Sequence, residues 1–311
     1  MGLQAKTIKS VLRRKVDAWL LTIKDEDVRK LAAANTIVTG GCIASMLLGE
    51  AVNDFDLYFR THETAKALAM YYVGKFNTSS TAKFKDGKRK IAVSVRDDDG
   101  RIKIVVKSAG IASEGESSGY QYFEQLDPSS DAASKYVDDI ADAAEQAENA
   151  KGEKFRPVFL STNAITLSDK VQLVTRFYGE PDDIHQNYDF AHVTNYWSSW
   201  DSHLELRPAA LLALIERRLI YQGSLYPICS IIRTRKFIGR GWHINAGQYL
   251  KMCMQVSELD LSDVDVLEEQ LTGVDAAYFE KLIGSLRKHM KDNGTDTVDR
   301  TYIMQVIDKI F

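Results

Sequence analysis

Asp54 and Asp56 are the residues whose types and spacing most directly suggest chemistry. They lie in Asp54-Phe55-Asp56-Leu57-Tyr58-Phe59, which alternates as a strand does. Residues two apart in a strand share a side, so the two carboxylates project together while Phe55 and Leu57 face the opposite layer. Paired carboxylates repel, and their charged forms are tolerable in water or around a cation. Flanking apolar residues make a divalent metal the natural compensation, and oxygen-only ligands favour Mg²⁺ or Mn²⁺. Upstream, the apolar run Thr36–Val38 leads into Gly40-Gly41, and a helical pattern, Ile43–Leu48, follows. Glycine lets backbone approach a ligand closely. A helix N-terminus offers free N–H groups and positive dipole to phosphate. Helix N-terminus, then metal strand, reads as a site for a nucleoside triphosphate. The plain alternative is a surface Asp-x-Asp hairpin.

Two further features stand apart. Asp189 lies between Tyr188 and Phe190 in Asn187–Val193, a stretch that reads as a core strand. A buried Asp is rare unless paired or metal-bound; an Asp capping a turn is the other reading. Farther on, Pro227–Ile244 carries Arg233, Lys236 and Arg240 at i, i+3 and i+7, on one face of an expected helix. Such a cluster can hold a triphosphate or a nucleic-acid backbone, or be a solvated basic face.

Gly40, Gly41, Asp54 and Asp56 stand in an order that resembles the signature of the DNA polymerase β-type nucleotidyltransferase superfamily: Gly-Gly, a short helix, then Asp-x-Asp on a strand. The Leu-Leu-Gly before the aspartates is similar to the tRNA CCA-adding and poly(A) polymerase branch. Tyr188-Asp189-Phe190 looks like that superfamily's third carboxylate motif, on a neighbouring strand. Ser161–Thr166 resembles its Asn-Ala segment, but precedes the third carboxylate where the CCA-adding branch has it after. Pro227–Ile244 resembles an arginine-rich segment of the same branch, slipped by one on each side of Phe237. The resemblance implies a nucleotidyltransferase with Asp54, Asp56 and Asp189 as catalytic metal ligands. It implies nucleotide contacts from Gly40, Gly41, Ser45, Asn163, Arg233, Lys236 and Arg240. The implied cofactor is Mg²⁺ or Mn²⁺ and the substrate an NTP. The implied acceptor is a hydroxyl, first of all an RNA 3′ end, with a protein or small molecule as alternatives. A non-catalytic binding or structural protein that keeps the fold is the rival class.

For the elements that must position these residues, the resemblance implies an α/β (α+β) fold: a mixed-sheet nucleotidyltransferase head over 1–203, then an all-helical domain over 204–311. Within the head, helices are expected at Ile8–Ala34 and Thr61–Phe76. A hairpin is expected from Lys88–Val95 and Arg101–Lys107, turning at Asp97-Asp98-Asp99-Gly100, and a strand at Lys170–Tyr178. Composition shifts at about 108–154 to Ser, Gly, Glu and Asp, which reads as an acidic insertion holding one Ala-rich helix. Beyond it, helices are expected at Leu206–Tyr221, Leu261–Leu271 and Ala276–Met290. His185, His192, His203 and His243 have no metal-ligand spacing and read as structural. Tyr196, Trp197 and Trp200 could stack a base, or pack a core.

A chain of 311 residues with a formal net charge of −3 has no bulk basicity, so any nucleic-acid surface must be local. Cys42, Cys229 and Cys253 form no zinc or redox spacing, which fits a reduced, cytoplasmic setting. No apolar stretch is long enough to cross a membrane. Lys6, Lys9 and Arg13-Arg14-Lys15 interrupt what would be the apolar core of a signal peptide.

Overall fold

The computed structural model describes residues 2–78, 91–108, 153–161, 163–271 and 276–310. The Ala-rich helix and nearly all of the acidic insertion expected at about 108–154 lie outside the described residues. The fold is mixed α/β, a sheet-bearing part followed by a helical one, as expected. The chain divides into two compact units.

The first unit takes the described residues within Met1–Gln125, Lys135–His185 and Val193–Ala210. It opens with α1 (Ala5–Leu20), whose Ile8, Leu12, Val16 and Trp19 recur at helical spacing and are all buried. The single helix expected over Ile8–Ala34 is instead two. Asp25 accepts hydrogen bonds from the N–H groups of Asp27 (3.0 Å) and Val28 (3.1 Å), starting α2 (Glu26–Asn35) afresh. A side chain that caps in this way competes with continuing the previous helix. Next come β1 (Thr36–Thr39), α3 (Gly41–Leu48), β2 (Phe55–Phe59) and α4 (His62–Thr78). The expected hairpin forms as β3 (Ile91–Asp98) and β4 (Arg101–Ser108), a sheet of its own turning through Asp99 and Gly100 at positive φ.

The main sheet adds β5 (Pro157–Leu160), β6 (Ala164–Leu167), β7 (Val171–Tyr178), β8 (Tyr196–Ser198) and β9 (Leu204–Glu205), in the order β5-β6-β7-β2-β1-β8-β9. A short helix, α5 (Pro181–His185), follows β7. Paired residues on adjacent strands point to one face, so the registers define rows across the sheet. One row runs Ile165, Leu173, Leu57, Val38, Trp197, Leu204. It is wholly apolar and packs into one core with the buried faces of α1, α3 and α4. The adjacent row, on the opposite face, runs Thr166, Gln172, Asp56, Thr39, Tyr196, Glu205. Alternation along each strand thus separates a helix-covered hydrophobic face from a polar face centred on Asp56.

The second unit takes the described residues within Gln186–His192 and Leu211–Phe311. The helix expected over Leu206–Tyr221 shortens to α6 (Pro208–Glu216). Arg217 at φ 47° ends it, and Leu219 N–H then donates to the His243 carbonyl at 2.8 Å. After α7 (Pro227–Ile238) and α8 (Ala246–Ser257) come α9 (Val264–Leu271), α10 (Ala276–Asn293) and α11 (Arg300–Ile310). Leu267, Leu286, Ile303 and Val306 are among the apolar residues buried between these last helices.

Candidate active site

The Gly40-Gly41 turn and the two aspartates meet at the start of α3. Gly40 sits at φ 91°, ψ −151°, a conformation that L side chains rarely adopt, so glycine is required there. Its N–H donates to the Val193 carbonyl at 3.2 Å, which fixes the turn. No side chain caps the α3 N-terminus. Gly41, the first helical residue, is exposed, and a Cβ built on it would meet nothing within 4 Å. That end therefore offers backbone N–H groups and space together, as anion binding requires.

Asp54 immediately precedes β2 and is exposed; Asp56 lies inside β2 and is half-buried. Burial, and then the charge of Asp54, push the Asp56 carboxyl well above the usual carboxylate range. Burial first, then the charges of Asp56 and Asp54, raise the Cys42 thiol. Cys42 belongs to the first turn of α3, so the carboxylate pair adjoins the uncapped helix end. No ion pair to Asp56 occurs among the described residues, nor does any group of three or more His, Cys, Asp or Glu placed to hold a metal. The pair itself is an oxygen donor set at high mutual repulsion, the chemistry that suits Mg²⁺ or Mn²⁺.

Thr39 stands beside Asp56, its register partner on β1. It is fully buried, and its hydroxyl lies 2.8 Å from His185 Nε2 and 2.9 Å from the Asn195 carbonyl. The carbonyl can only accept, so the Thr39 proton goes to Asn195 and Nε2 of a neutral His185 donates to Thr39. Neutrality follows from burial and then from the charge of Arg207, which bring the His185 pKa down to about 3. This network holds the end of β1 directly behind Gly40. His185 and His192 are both buried, in keeping with the structural reading of these histidines.

Ser45 and Asn163 were expected as further contacts. Ser45 is half-buried on α3, and its carbonyl accepts from Glu50 N–H at 2.9 Å. Asn163 occupies the β5–β6 turn, where its carbonyl accepts from Thr175 N–H at 3.0 Å. Thr166, not Asn163, is in register with the Asp56 row, so the structure does not bring Asn163 to the aspartates.

Asp189 belongs to the second unit and is not in a sheet strand. The strand expected at Asn187–Val193 reduces to one bridge, Phe190 to Tyr221, and a 3₁₀ turn, Ala191–Val193. The cause is pairing with a segment distant in sequence: Gln222 N–H donates to the Asp189 carbonyl (2.9 Å), and Ala191 N–H to the Ile220 carbonyl (2.9 Å). The neighbour of β2 in the sheet is β7, and the residue there in register with Asp56 is Gln172. The Asp189 carboxylate is buried and receives a hydrogen-bonded ion pair from Arg233 on α7. Lys236, also on α7, is exposed. Arg240 is exposed beyond the helix end at Ile238, so the three basic residues do not share one helical face as expected. Gly241 at φ 81° turns the chain there, and Trp242 folds back onto His192 with ring centroids 4.2 Å apart.

Sequence reasoning missed Thr39 and Gln172 as neighbours of Asp56, and Arg207 altogether. Strand register alone reveals the first two, and nothing in their local sequence signals it.

The geometry can be set beside known proteins. A family model described as Gad2, Gabija anti-defense 2 family protein, matches residues 10–217, more than half of the chain. No curated protein matches. Among solved structures, the chain is similar to the Thermotoga maritima CCA-adding enzyme complexed with tRNA-CCA, at 12% identity and a TM-score of 0.37. That match covers 94% of this chain and 65% of the other, so this chain spans less than two thirds of that enzyme.

Proposed function

The chain belongs to the Gabija anti-defense 2 family, and from that premise we propose that it is a metal-dependent nucleotidyltransferase acting against Gabija defence. The observation that carries this reading is the pairing of Asp54 and Asp56 beside the uncapped, glycine-opened N-terminus of α3. Asp54 and Asp56 would hold Mg²⁺ or Mn²⁺. Such an ion supplies charge neutralisation on the triphosphate and lowers the pKa of an attacking hydroxyl.

The chain's own residues do the rest. Gly40 and Gly41 admit the triphosphate to the backbone N–H groups of α3, which favour its negative charge. The acceptor oxygen forms a bond to the α-phosphorus, the bond to the β-phosphate breaks, and pyrophosphate leaves. Lys236 and Arg240, both exposed in the second unit, are the proposed contacts for the acceptor backbone, while Arg233 is paired with Asp189.

An RNA 3′ end is the acceptor favoured by the sequence resemblance. The family description adds a second candidate, a hydroxyl on a component of the defence itself. One experiment separates them: the protein is incubated with each labelled NTP and Mg²⁺ or Mn²⁺, with total RNA or with protein from cells carrying Gabija. Label on either fraction, lost in Asp56→Asn, supports the reading and names the acceptor. An Asp56→Asn chain that counters Gabija as well as wild type would instead mark a binding protein.

A further inference from the structure

We propose that Tyr196 and Arg207 form the nucleoside subsite of this centre, with His185 as the residue that positions them. The proposal rests on the nucleotidyltransferase reading and deepens it.

Of Tyr196, Trp197 and Trp200, Trp197 is buried in the core, and Trp200, exposed and with the Arg60 guanidinium carbon 4.7 Å from its ring centroid, lies outside the strands and so outside the row that carries Asp56. Tyr196 differs. It is half-buried and stands in the polar row, in register with Thr39, which is in register with Asp56. Two interstrand steps place it about 10 Å along the sheet from Asp56. A nucleotide whose α-phosphate meets the aspartates has its sugar and base to place at that distance, and the polar face offers Tyr196 there.

Arg207 supplies the second half. Its guanidinium carbon lies 5.7 Å from the Tyr196 ring centroid, and it pairs with Asp182. The Asp182 side chain is 83% exposed, so water and salt screen that pair and a substrate phosphate competes with it easily. When Arg207 exchanges Asp182 for a phosphate oxygen, it leaves the Tyr196 ring, and the freed face takes the base by stacking. His185 packs against the other partner of this arrangement: its ring centroid is 5.9 Å from that of Tyr196, and its Nε2 holds Thr39 at 2.8 Å. One neutral imidazole thus ties the stacking ring to the strand that carries the phosphate turn.

The test is equilibrium binding of the full chain, with Mg²⁺, to α,β-methylene-ATP and to inorganic tripolyphosphate, which has no base. Tyr196→Ala is expected to weaken the nucleotide about tenfold, as loss of one stacked base does, and to spare tripolyphosphate. Tyr196→Phe recovers most of that loss. Arg207→Ala weakens both probes. Asp182→Ala, an exposed change that removes the competitor of phosphate, tightens both about two- to threefold, a gain that misfolding cannot mimic. Nucleotide affinity unchanged in Tyr196→Ala and Arg207→Ala, while Asp54→Asn and Asp56→Asn lose it, overturns the subsite and leaves the parent reading standing. Absence of metal-dependent nucleotide binding in the wild type overturns both.

Discussion

Asp189 and Arg233 form an ion pair within the second unit, the carboxylate side chain 8% exposed and the guanidinium side chain 39% exposed. The pair answers the question that the sequence raises at Asp189, namely what compensates a carboxylate set between Tyr188 and Phe190. It also sets the sign of the stability effect. A carboxylate kept only for a metal would leave metal-free stability equal or higher when removed. A buried carboxylate paired with Arg233 leaves a stranded cation. Asp189→Ala is therefore expected to destabilise the metal-free protein by about 2 kcal/mol, less than a fully buried pair because Arg233 keeps water. Urea unfolding with and without Mg²⁺ reads this directly, and loss of Mg²⁺ stabilisation in the same variant is the separate sign of a metal role.

The Asp54–Asp56 pair predicts a pH dependence of unusual sign. Asp56 has its carboxyl pKa raised by burial and by Asp54, so the folded state holds a proton that the unfolded state has released. From the ordinary carboxylate pKa up to the raised value, stability therefore falls as pH increases. Asp56→Asn should flatten that fall and raise the melting temperature at neutral pH without metal, while abolishing label transfer. Stabilisation of the wild type by added Mg²⁺ should grow over the same pH window. A melting curve that rises with pH there, or a fully active Asp56→Asn, would sink the assignment.

Gly40 and Gly41 should respond differently to the same substitution. Gly40→Ala forces a side chain into φ 91° and is expected to cost about 2 kcal/mol. Gly41→Ala meets open space and joins a helix, so the fold should tolerate it. If the triphosphate approaches that backbone, Gly41→Ala raises the KM for NTP several-fold at unchanged melting temperature. An unchanged KM would place the phosphates elsewhere.

The basic residues of the second unit separate in the same way. Lys236 and Arg240 are exposed, whereas Arg233 is spent on Asp189. The Lys236→Ala, Arg240→Ala double variant should keep its stability and weaken binding of NTP or RNA, with a shallower salt dependence. Arg233→Ala should lose stability as Asp189→Ala does, and the two losses should not add. Equal binding of both polyanions by the double variant and by wild type would make Lys236 and Arg240 a solvated surface.

Local sequence determined the parts whose causes are local. Alternation in Asp54–Phe59 was enough to put Phe55 and Leu57 in the core and Asp54 and Asp56 on the other face. Gly40-Gly41 announced a place where backbone can approach a ligand closely, and the helical spacing of Leu12, Val16 and Trp19 announced a buried helix face. The class of fold, sheet followed by helices, was implied by the resemblance that the Gly40–Asp56 motifs carry. Tertiary structure decided everything that depends on partners distant in the chain. Strand order set Thr39 and Gln172, rather than a third carboxylate, on either side of Asp56. The backbone of Ile220–Gln222 took the hydrogen bonds that would have made Asn187–Val193 a sheet strand, and Arg233 took the Asp189 carboxylate. Period and turn chemistry are written in adjacent residues, but register and charge pairing are settled by which segments meet, where a residue's own neighbours in sequence carry no record of the partner.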